Sequence, residues 1–233
     1  LPEVGEILLI EDGSIDDSFE KCQKLQKLNP KVKVLFHEGH LNKGASNSRN
    51  LGILNASFPF IAFLDADDIY YSNRFKEPLE HLNYDSNVQG VFGKVLKKDL
   101  IYNTQKVYGI PSTISPNELF GYILKGGYFH TNSITVRKTF FNKVGLFNSK
   151  LWPGEEVEMW IRMAFHKSII QINNFEPIAE YRIHEKNLSL LNHINSRFDF
   201  WKLIFKSFFF KKIGLNNRLI IIKQIFKSLL LNK

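Results

Sequence analysis

Hydrophobic positions in the first third of the chain fall into short apolar runs separated by amphipathic stretches. The runs at 6–10 and 31–37 predict strands, because they are short, apolar and bounded by turn residues. The stretches at 17–28 and 45–56 show helical spacing, and the first of them ends before Asn-Pro. A third apolar run at 60–64 completes strand, helix, strand, helix, strand. This order predicts an α/β, Rossmann-like fold with a mostly parallel sheet flanked by helices.

The run at 60–64 has no alternation, which predicts a fully buried strand of a parallel sheet. It ends in Asp65, Asp67 and Asp68. Burying these carboxylates would be costly, so the strand should deliver them to its carboxyl edge, where open α/β sheets bind ligands. Asp65 and Asp67 can together hold one divalent cation against phosphate oxygens. The alternative is an ordinary polar turn after a strand.

Beyond residue 88 the pattern is less regular. Short runs there predict strands at 91–96, 106–108, 133–137 and 178–184. Periodic stretches predict helices at 117–124, 139–144 and 155–166.

Charge is unevenly distributed along the 233 residues. Nine of the 31 Lys and Arg, and one of the 23 Asp and Glu, lie in 197–233, so this segment accounts for the whole net charge of +8. The balanced remainder argues against a general nucleic-acid surface on the main domain. One cysteine excludes an internal disulfide and fits a reducing compartment. No targeting signal or spanning apolar run is visible. The reducing compartment that the cysteine content fits makes the cytoplasm the expected location.

The basic segment also contains many aromatic and aliphatic residues interleaved with lysines. This composition predicts basic amphipathic helices that lie on an anionic membrane surface, at the inner face of the cell membrane. The alternative is that the helices pack on the main domain or on a second subunit. The predicted domains are therefore 1–190, the main domain, and 191–233, a basic helical tail.

Five segments, in order, resemble motifs of family 2 glycosyltransferases of the GT-A fold. They are Glu-Asp-Gly-Ser at 11–14, Asn-x-Gly-x-Ser-x-x-Arg-Asn at 42–50, Asp-Ala-Asp-Asp at 65–68, Gly-Glu-Glu at 154–156 and Tyr-Arg-Ile-His at 181–184. The resemblance covers residues 6 to about 190. It implies metal-dependent, inverting transfer of a sugar from a nucleotide-diphosphate donor to a glycan or lipid-linked acceptor in cell-surface polysaccharide synthesis.

The resemblance also implies roles at the donor side. Asp12 would accept a hydrogen bond from the ring N–H of the base, which suits uracil and hence a UDP-sugar. Asp65 would face the ribose or the metal, and Asp67 would bind Mn²⁺ or Mg²⁺ directly. Arg182 and His184 would complete the phosphate side, although a lone histidine is otherwise an ordinary surface or core residue.

Glu156 aligns with the family's general base, which is usually Asp, and Glu155 is the alternative base. Both residues lie at a predicted helix N-terminus, where carboxylates are favoured for electrostatic reasons alone. Arg49 pairs either with phosphate or with an aspartate of the site, or it is a solvated helix-surface residue. Trp152 and Trp160 are candidate sugar-stacking platforms, although the mid-helix position of Trp160 is more typical of a core residue.

One departure from the family concerns its first strand and helix, about forty residues, which have no counterpart before residue 6. Either the sequence is a piece of a longer chain, which the intact later motifs favour, or its donor site is incomplete. An incomplete donor site, together with Glu instead of Asp at position 156, is the basis of an alternative function. In that alternative the chain is a catalytically inactive, membrane-docked binding module. Nucleic-acid binding through the tail has no supporting fold motif.

Overall fold

The computed structural model describes residues 1–110, 113–151, 153–173, 176–185, 196–208, 211 and 213–230. Strands within these ranges are β1 (Ile7–Glu11), β2 (Val32–Phe36), β3 (Phe60–Ala62), β4 (Ile69–Tyr70), β5 (Gly90–Phe92), β6 (Val95–Asp99), β7 (Thr104–Tyr108), β8 (Ile134–Arg137), β9 (Ile169–Gln171) and β10 (Ala179–Ile183). The helices are α1 (Ser18–Leu28), α2 (Ala45–Asn55), α3 (Lys76–Tyr84), α4 (Pro116–Leu124), α5 (Phe141–Val144), α6 (Glu155–Phe165), α7 (Ser196–Phe208) and α8 (Leu215–Leu230).

The α/β class is confirmed, but the prediction of a mostly parallel sheet is wrong, because the strands form mixed sheets. β1 and β2 pair in parallel, and two four-stranded sheets have the orders β4-β10-β6-β7 and β3-β8-β5-β9. Only β10–β6 and β5–β9 are parallel pairs within those two sheets. The prediction of a fully buried strand at 60–64 is also wrong: only Phe60–Ala62 forms β3, with Ile61 alone buried, and Leu64 is 46% exposed. An unbroken apolar run does not reveal the direction of the neighbouring strands.

The pairing of β3 with β8 places two loops side by side. The strands are antiparallel, with Ala62 opposite Thr135. The residues that follow β3 therefore lie beside the residues that precede β8. This juxtaposition brings the acidic turn at 65–68 against the segment 128–133, where the Asn132 side chain donates to Asp68.

The larger hydrophobic core lies between the β3-β8-β5-β9 sheet and helices α4 and α6. Trp160 is at its centre, 1% exposed, with its ring 5.0 Å from that of Phe129 and 6.1 Å from that of Phe147. The interpretation of Trp160 as a core residue is therefore confirmed. Trp152 lies outside the described residues.

Helices α7 and α8 join this same core. Phe200, Ile204, Phe208 and Ile221 are buried in it, and the Gln224 side chain donates to a carbonyl at the end of α4 over 3.1 Å. Packing on the main domain is thus the observed role of the inner faces of both helices. The predicted boundary at 190/191 lies outside the described residues and stays a prediction. In the described ranges no helix is both long and apolar enough to cross a membrane.

The predicted helix at 17–28 forms, but its apolar side is poorly covered. None of the residues of α1 is buried, and Leu25 and Leu28 are 50% and 72% exposed. The spacing of apolar residues identified this helix correctly, while its expected burial is not observed.

Candidate active site

Arg49 is the point where the separate motifs meet. It extends from α2, and its Nη2 lies 3.0 Å from Asp65 Oδ1 and 2.8 Å from Glu156 Oε1. Its Nη1 lies 3.6 Å from Glu155 Oε1. One guanidinium therefore joins the acidic turn after β3 to the first turn of α6. Of the alternatives for Arg49, pairing with an aspartate of the site is the one observed.

The two glutamates of this cluster have opposite electrostatic environments. Burial raises the pKa of Glu155, and the adjacent charge of Glu156 adds to this effect. Burial also opposes ionisation of Glu156, but the charge of Arg49 and a hydrogen bond from Tyr128 outweigh it and lower the pKa of Glu156. Glu156 is therefore held as a carboxylate, which is the form a general base requires.

Tyr128 is a site residue that sequence reasoning missed. Its hydroxyl donates to Glu156 Oε2 over 2.6 Å, and burial together with the Glu156 charge raises the pKa of Tyr128 well above its usual value. The neighbouring His130 is buried, which lowers its pKa, and its ring centroid lies 4.2 Å from that of Tyr181. The signal for these residues was the cluster of aromatic and polar residues at 128–133, but its relevance depends on the β3–β8 pairing.

Asp67 and His184 form a second pair at the same edge. Asp67 Oδ2 lies 3.0 Å from His184 Nε2, and the two side chains are 38% and 33% exposed. The Arg182 side chain donates to the backbone carbonyl of Asp67. The structure thus brings together the acidic turn and the end of β10, as the motif order implied.

Asp68 fixes this edge from behind. It is 6% exposed and accepts hydrogen bonds from the Arg182 backbone N–H, over 2.8 Å, and from the Asn132 side chain. Burial raises the pKa of Asp68 to about 6. Asn132 is in turn held by the buried Arg74, whose Nε donates to the Asn132 carbonyl over 2.9 Å. Asp68 is therefore a positioning residue that ties the acidic turn to β10 and to the loop before β8.

A divalent cation would find a partial set of ligands here. Within the described ranges, no three His, Cys, Asp or Glu side chains converge as a complete metal cluster. The Asp67–His184 pair supplies one carboxylate and one imidazole, both accessible. Mg²⁺ commonly uses one or two protein carboxylates and takes its other ligands from phosphates and water. The residues present fit such a cation only together with a diphosphate.

Asp12 lies on another side of the site, at the turn after β1. Its carboxylate oxygens accept the backbone N–H groups of Lys43, over 2.7 Å, and Gly44, over 2.9 Å, and His37 Nε2 lies 3.5 Å away. These bonds tie the first motif to the start of α2. A carboxylate has four acceptor positions, so further hydrogen bonds remain available to a ligand.

A known family matches the part of the chain that holds the first three motifs. The model of glycosyl transferase family 2 matches residues 2–146. The chain belongs to this family. The predicted class, a glycosyltransferase, is therefore confirmed at the level of the family.

Relatives by sequence are longer proteins. An uncharacterized glycosyltransferase of Rickettsia felis is 28% identical over 167 residues, which is 70% of this chain and 26% of that protein. The poly-beta-1,6-N-acetyl-D-glucosamine synthase of Staphylococcus aureus is 27% identical over 181 residues, 76% of this chain and 42% of the synthase. The chain thus matches 26% and 42% of the length of these two relatives.

Solved structures share the fold. S. aureus TarS in complex with UDP-GlcNAc superposes with a TM-score of 0.68 at 14% identity, covering 96% of this chain and 62% of that one. GalNAc-T7 with UDP, GalNAc and Mn²⁺ gives a TM-score of 0.56 at 16% identity, covering 79% of this chain and 39% of that one. At these identities the likeness concerns the GT-A fold alone.

Proposed function

We propose that this family 2 chain transfers a sugar from a UDP-sugar to a glycan or lipid-linked acceptor in cell-surface polymer synthesis, with inversion at the anomeric carbon and with the help of Mn²⁺ or Mg²⁺. The observation that carries the proposal is the Arg49 cluster, in which the acidic turn and the α6 glutamates meet. The named partners of similar proteins, UDP-GlcNAc and N-acetyl-D-glucosamine polymers, support the substrate class.

Glu156 is proposed as the general base. Its Oε1 is paired with Arg49 and its Oε2 accepts from Tyr128. A carboxylate has four acceptor positions, so at least one remains for the acceptor hydroxyl. As the acceptor oxygen bonds to the anomeric carbon, its proton moves to Glu156, and the bond from that carbon to the diphosphate oxygen breaks. Attack opposite the leaving group inverts the configuration in one step without a covalent intermediate.

The donor side is proposed to use the remaining motif residues. Asp67 and His184 are the side chains that would hold the cation, whose charge would offset the charge that builds on the leaving diphosphate. Arg182 lies beside them and Asp65 beside Arg49, where they would contact the diphosphate and the ribose. Asp12 would recognise the uracil N–H.

One nitrogen of the Arg49 guanidinium makes no hydrogen bond within the described part of the chain. That atom is Nη1, which is buried. An unsatisfied buried donor is costly, and a polar ligand atom placed beside it would remove that cost.

The test compares UDP release from UDP-GlcNAc, with Mn²⁺ present, by the wild type and Glu156→Gln. General-base catalysis contributes about 10²–10⁴-fold, so we expect the variant to lose at least about 100-fold in turnover while its affinity for UDP is unchanged. Glu20→Gln, which changes an exposed glutamate on α1 in the same way, is the control and should match the wild type.

Two results would count against the proposal. If Glu156→Gln turned over normally, Glu156 would not be the base. If the wild type bound UDP but neither hydrolysed nor transferred any UDP-sugar across a broad acceptor panel, the chain would instead be an inactive binding module of the same fold. The cytoplasmic location stays a sequence-based prediction.

A further inference from the structure

The outer face of α8 is a continuous apolar stripe. Leu215, Leu219, Phe226 and Leu230 are 72%, 54%, 63% and 74% exposed. At 100° per residue these four positions fall within about 60° of one another around the helix axis. We call these four residues the α8 stripe. Four large exposed apolar side chains in one line on one helix are more than scattered surface residues.

The opposite face of the same helix is already used. Ile221 and Ser228 are buried, Gln224 bonds to the last turn of α4, and the Asn217 side chain approaches Gly121 of α4. These residues lie about 180° from the α8 stripe. Core packing therefore accounts for one face of α8 and leaves the stripe unexplained.

The charged side chains of α8 are all positive. Lys223 and Lys227 are exposed and lie next to the α8 stripe, at about 80° and 120° from Leu215. The sequence of α8 contains no acidic residue, and the single acid of the segment 197–233 is Asp199. A surface that fits this helix must therefore offer apolar depth and negative charge together.

We propose that α8 lies in the surface of an anionic lipid bilayer, with its stripe inserted between the lipids and with Lys223 and Lys227 at the headgroups. Two copies of the chain meeting through their stripes would bring lysines near lysines with no acid on the helix to offset them, which argues against self-association. The sequence predicted membrane contact by the whole basic tail. The proposal limits that contact to the outer face of α8. The inference does not depend on the proposed catalytic function.

The test is co-sedimentation of the full chain with vesicles of phosphatidylcholine, alone or in an equal mixture with phosphatidylglycerol. We expect binding to the anionic vesicles, weakened by added salt, and little binding to the neutral ones. The double variant Leu219→Ser, Phe226→Ser should bind at least about tenfold less tightly, because two large apolar side chains no longer insert. Lys223→Gln with Lys227→Gln should lose the preference for anionic vesicles.

Leu28→Ser is the matched control, since Leu28 on α1 is as exposed as the stripe leucines, at 72%. It should bind like the wild type. Thermal melts show whether each variant remains folded. We expect all of them to fold, because the replaced side chains are exposed. Equal binding by stripe and control variants, or no binding by the folded wild type, would overturn the proposal. The proposal would also be overturned if light scattering showed that the wild type is a dimer and that the stripe variants are not. The α8 stripe would then bind a second copy of the chain.

Discussion

Replacing Tyr128 with Phe removes a hydrogen bond from the proposed base and keeps the aromatic ring. The hydroxyl donates to Glu156 Oε2 over 2.6 Å, while the ring, which packs near His130, would stay. The bond stabilises the ionised form of Glu156 relative to its protonated form. Its loss should therefore raise the pKa of Glu156.

The size of this change follows from the kind of hydrogen bond involved. Hydrogen bonds to charged groups contribute about 1.5–3 kcal/mol, and one pKa unit corresponds to about 1.4 kcal/mol. The pKa of Glu156 should thus rise by about one to two units. Since the base works only when it is ionised, the acidic limb of the pH–rate profile should move to higher pH by the same amount.

The assay is the pH dependence of kcat/KM for UDP-GlcNAc turnover by wild type, Tyr128→Phe and Tyr108→Phe. The last variant is the control, because the ring of Tyr108 lies 6.3 Å from that of Tyr128 and its substitution also removes one phenolic hydroxyl. At pH values well above the acidic limb, Tyr128→Phe should approach the wild-type rate. An unmoved limb, or an equal loss of rate at every pH, would refute the assigned role of Tyr128.

Three further substitutions test other parts of the structure. Arg49→Met leaves the carboxylates of Asp65 and Glu156 without their cationic partner and should lower the free energy of unfolding, measured in urea, by about 3 kcal/mol. A loss below about 1 kcal/mol would mean that the ion pairs of Arg49 behave as surface pairs. Gly13→Ala should lower the free energy of unfolding by at least about 1 kcal/mol and weaken UDP binding. The reason is that Gly13 has a φ of 72° and that the new Cβ would lie 2.5 Å from the Asn42 backbone nitrogen. An unchanged melting temperature would contradict this. Ser115→Ala should cost about 1 kcal/mol in urea denaturation, since Ser115 and Glu118 form a capping box on α4, and no loss would show that the box does not stabilise the helix.

The first half of the fold was predictable because its elements are marked locally. β1, β2 and α2 lie within one residue of the predicted bounds, since each is followed closely by Gly or Pro. Helix α3, of nine residues, and the short strands β4 and β9 were missed. Strands of two or three residues have no pattern of their own and are defined by their partners.

One predicted strand, at 91–96, is in fact two strands in different sheets. Gly93 separates β5 from β6, and a Cβ there would lie 2.8 Å from the side chains of both Ile172 and Ile178. The sequence shows an apolar run through this glycine, but not the close packing that divides it. Glycine within a strand pattern can mark such a close approach.

The candidate site was predictable in its acidic members and unpredictable in their supports. The five motifs named Asp65, Glu156 and Arg49, and the structure joins them through Arg49. Tyr128 and Asn132 reach the site only because β8 runs antiparallel to β3, a long-range pairing that no local pattern specifies. The apolar pattern of the tail was detected correctly, yet its division into a packed face and an exposed face required the tertiary structure.

The most direct test of the proposed donor site is calorimetric titration of the wild type and Asp67→Ala with UDP, with and without Mn²⁺. If Asp67 and His184 hold a cation against the diphosphate, the wild type should bind UDP more tightly when Mn²⁺ is present, and the variant should lose that gain. Equal affinity with and without Mn²⁺, unchanged by Asp67→Ala, would contradict a metal-dependent donor site at this edge of the sheet.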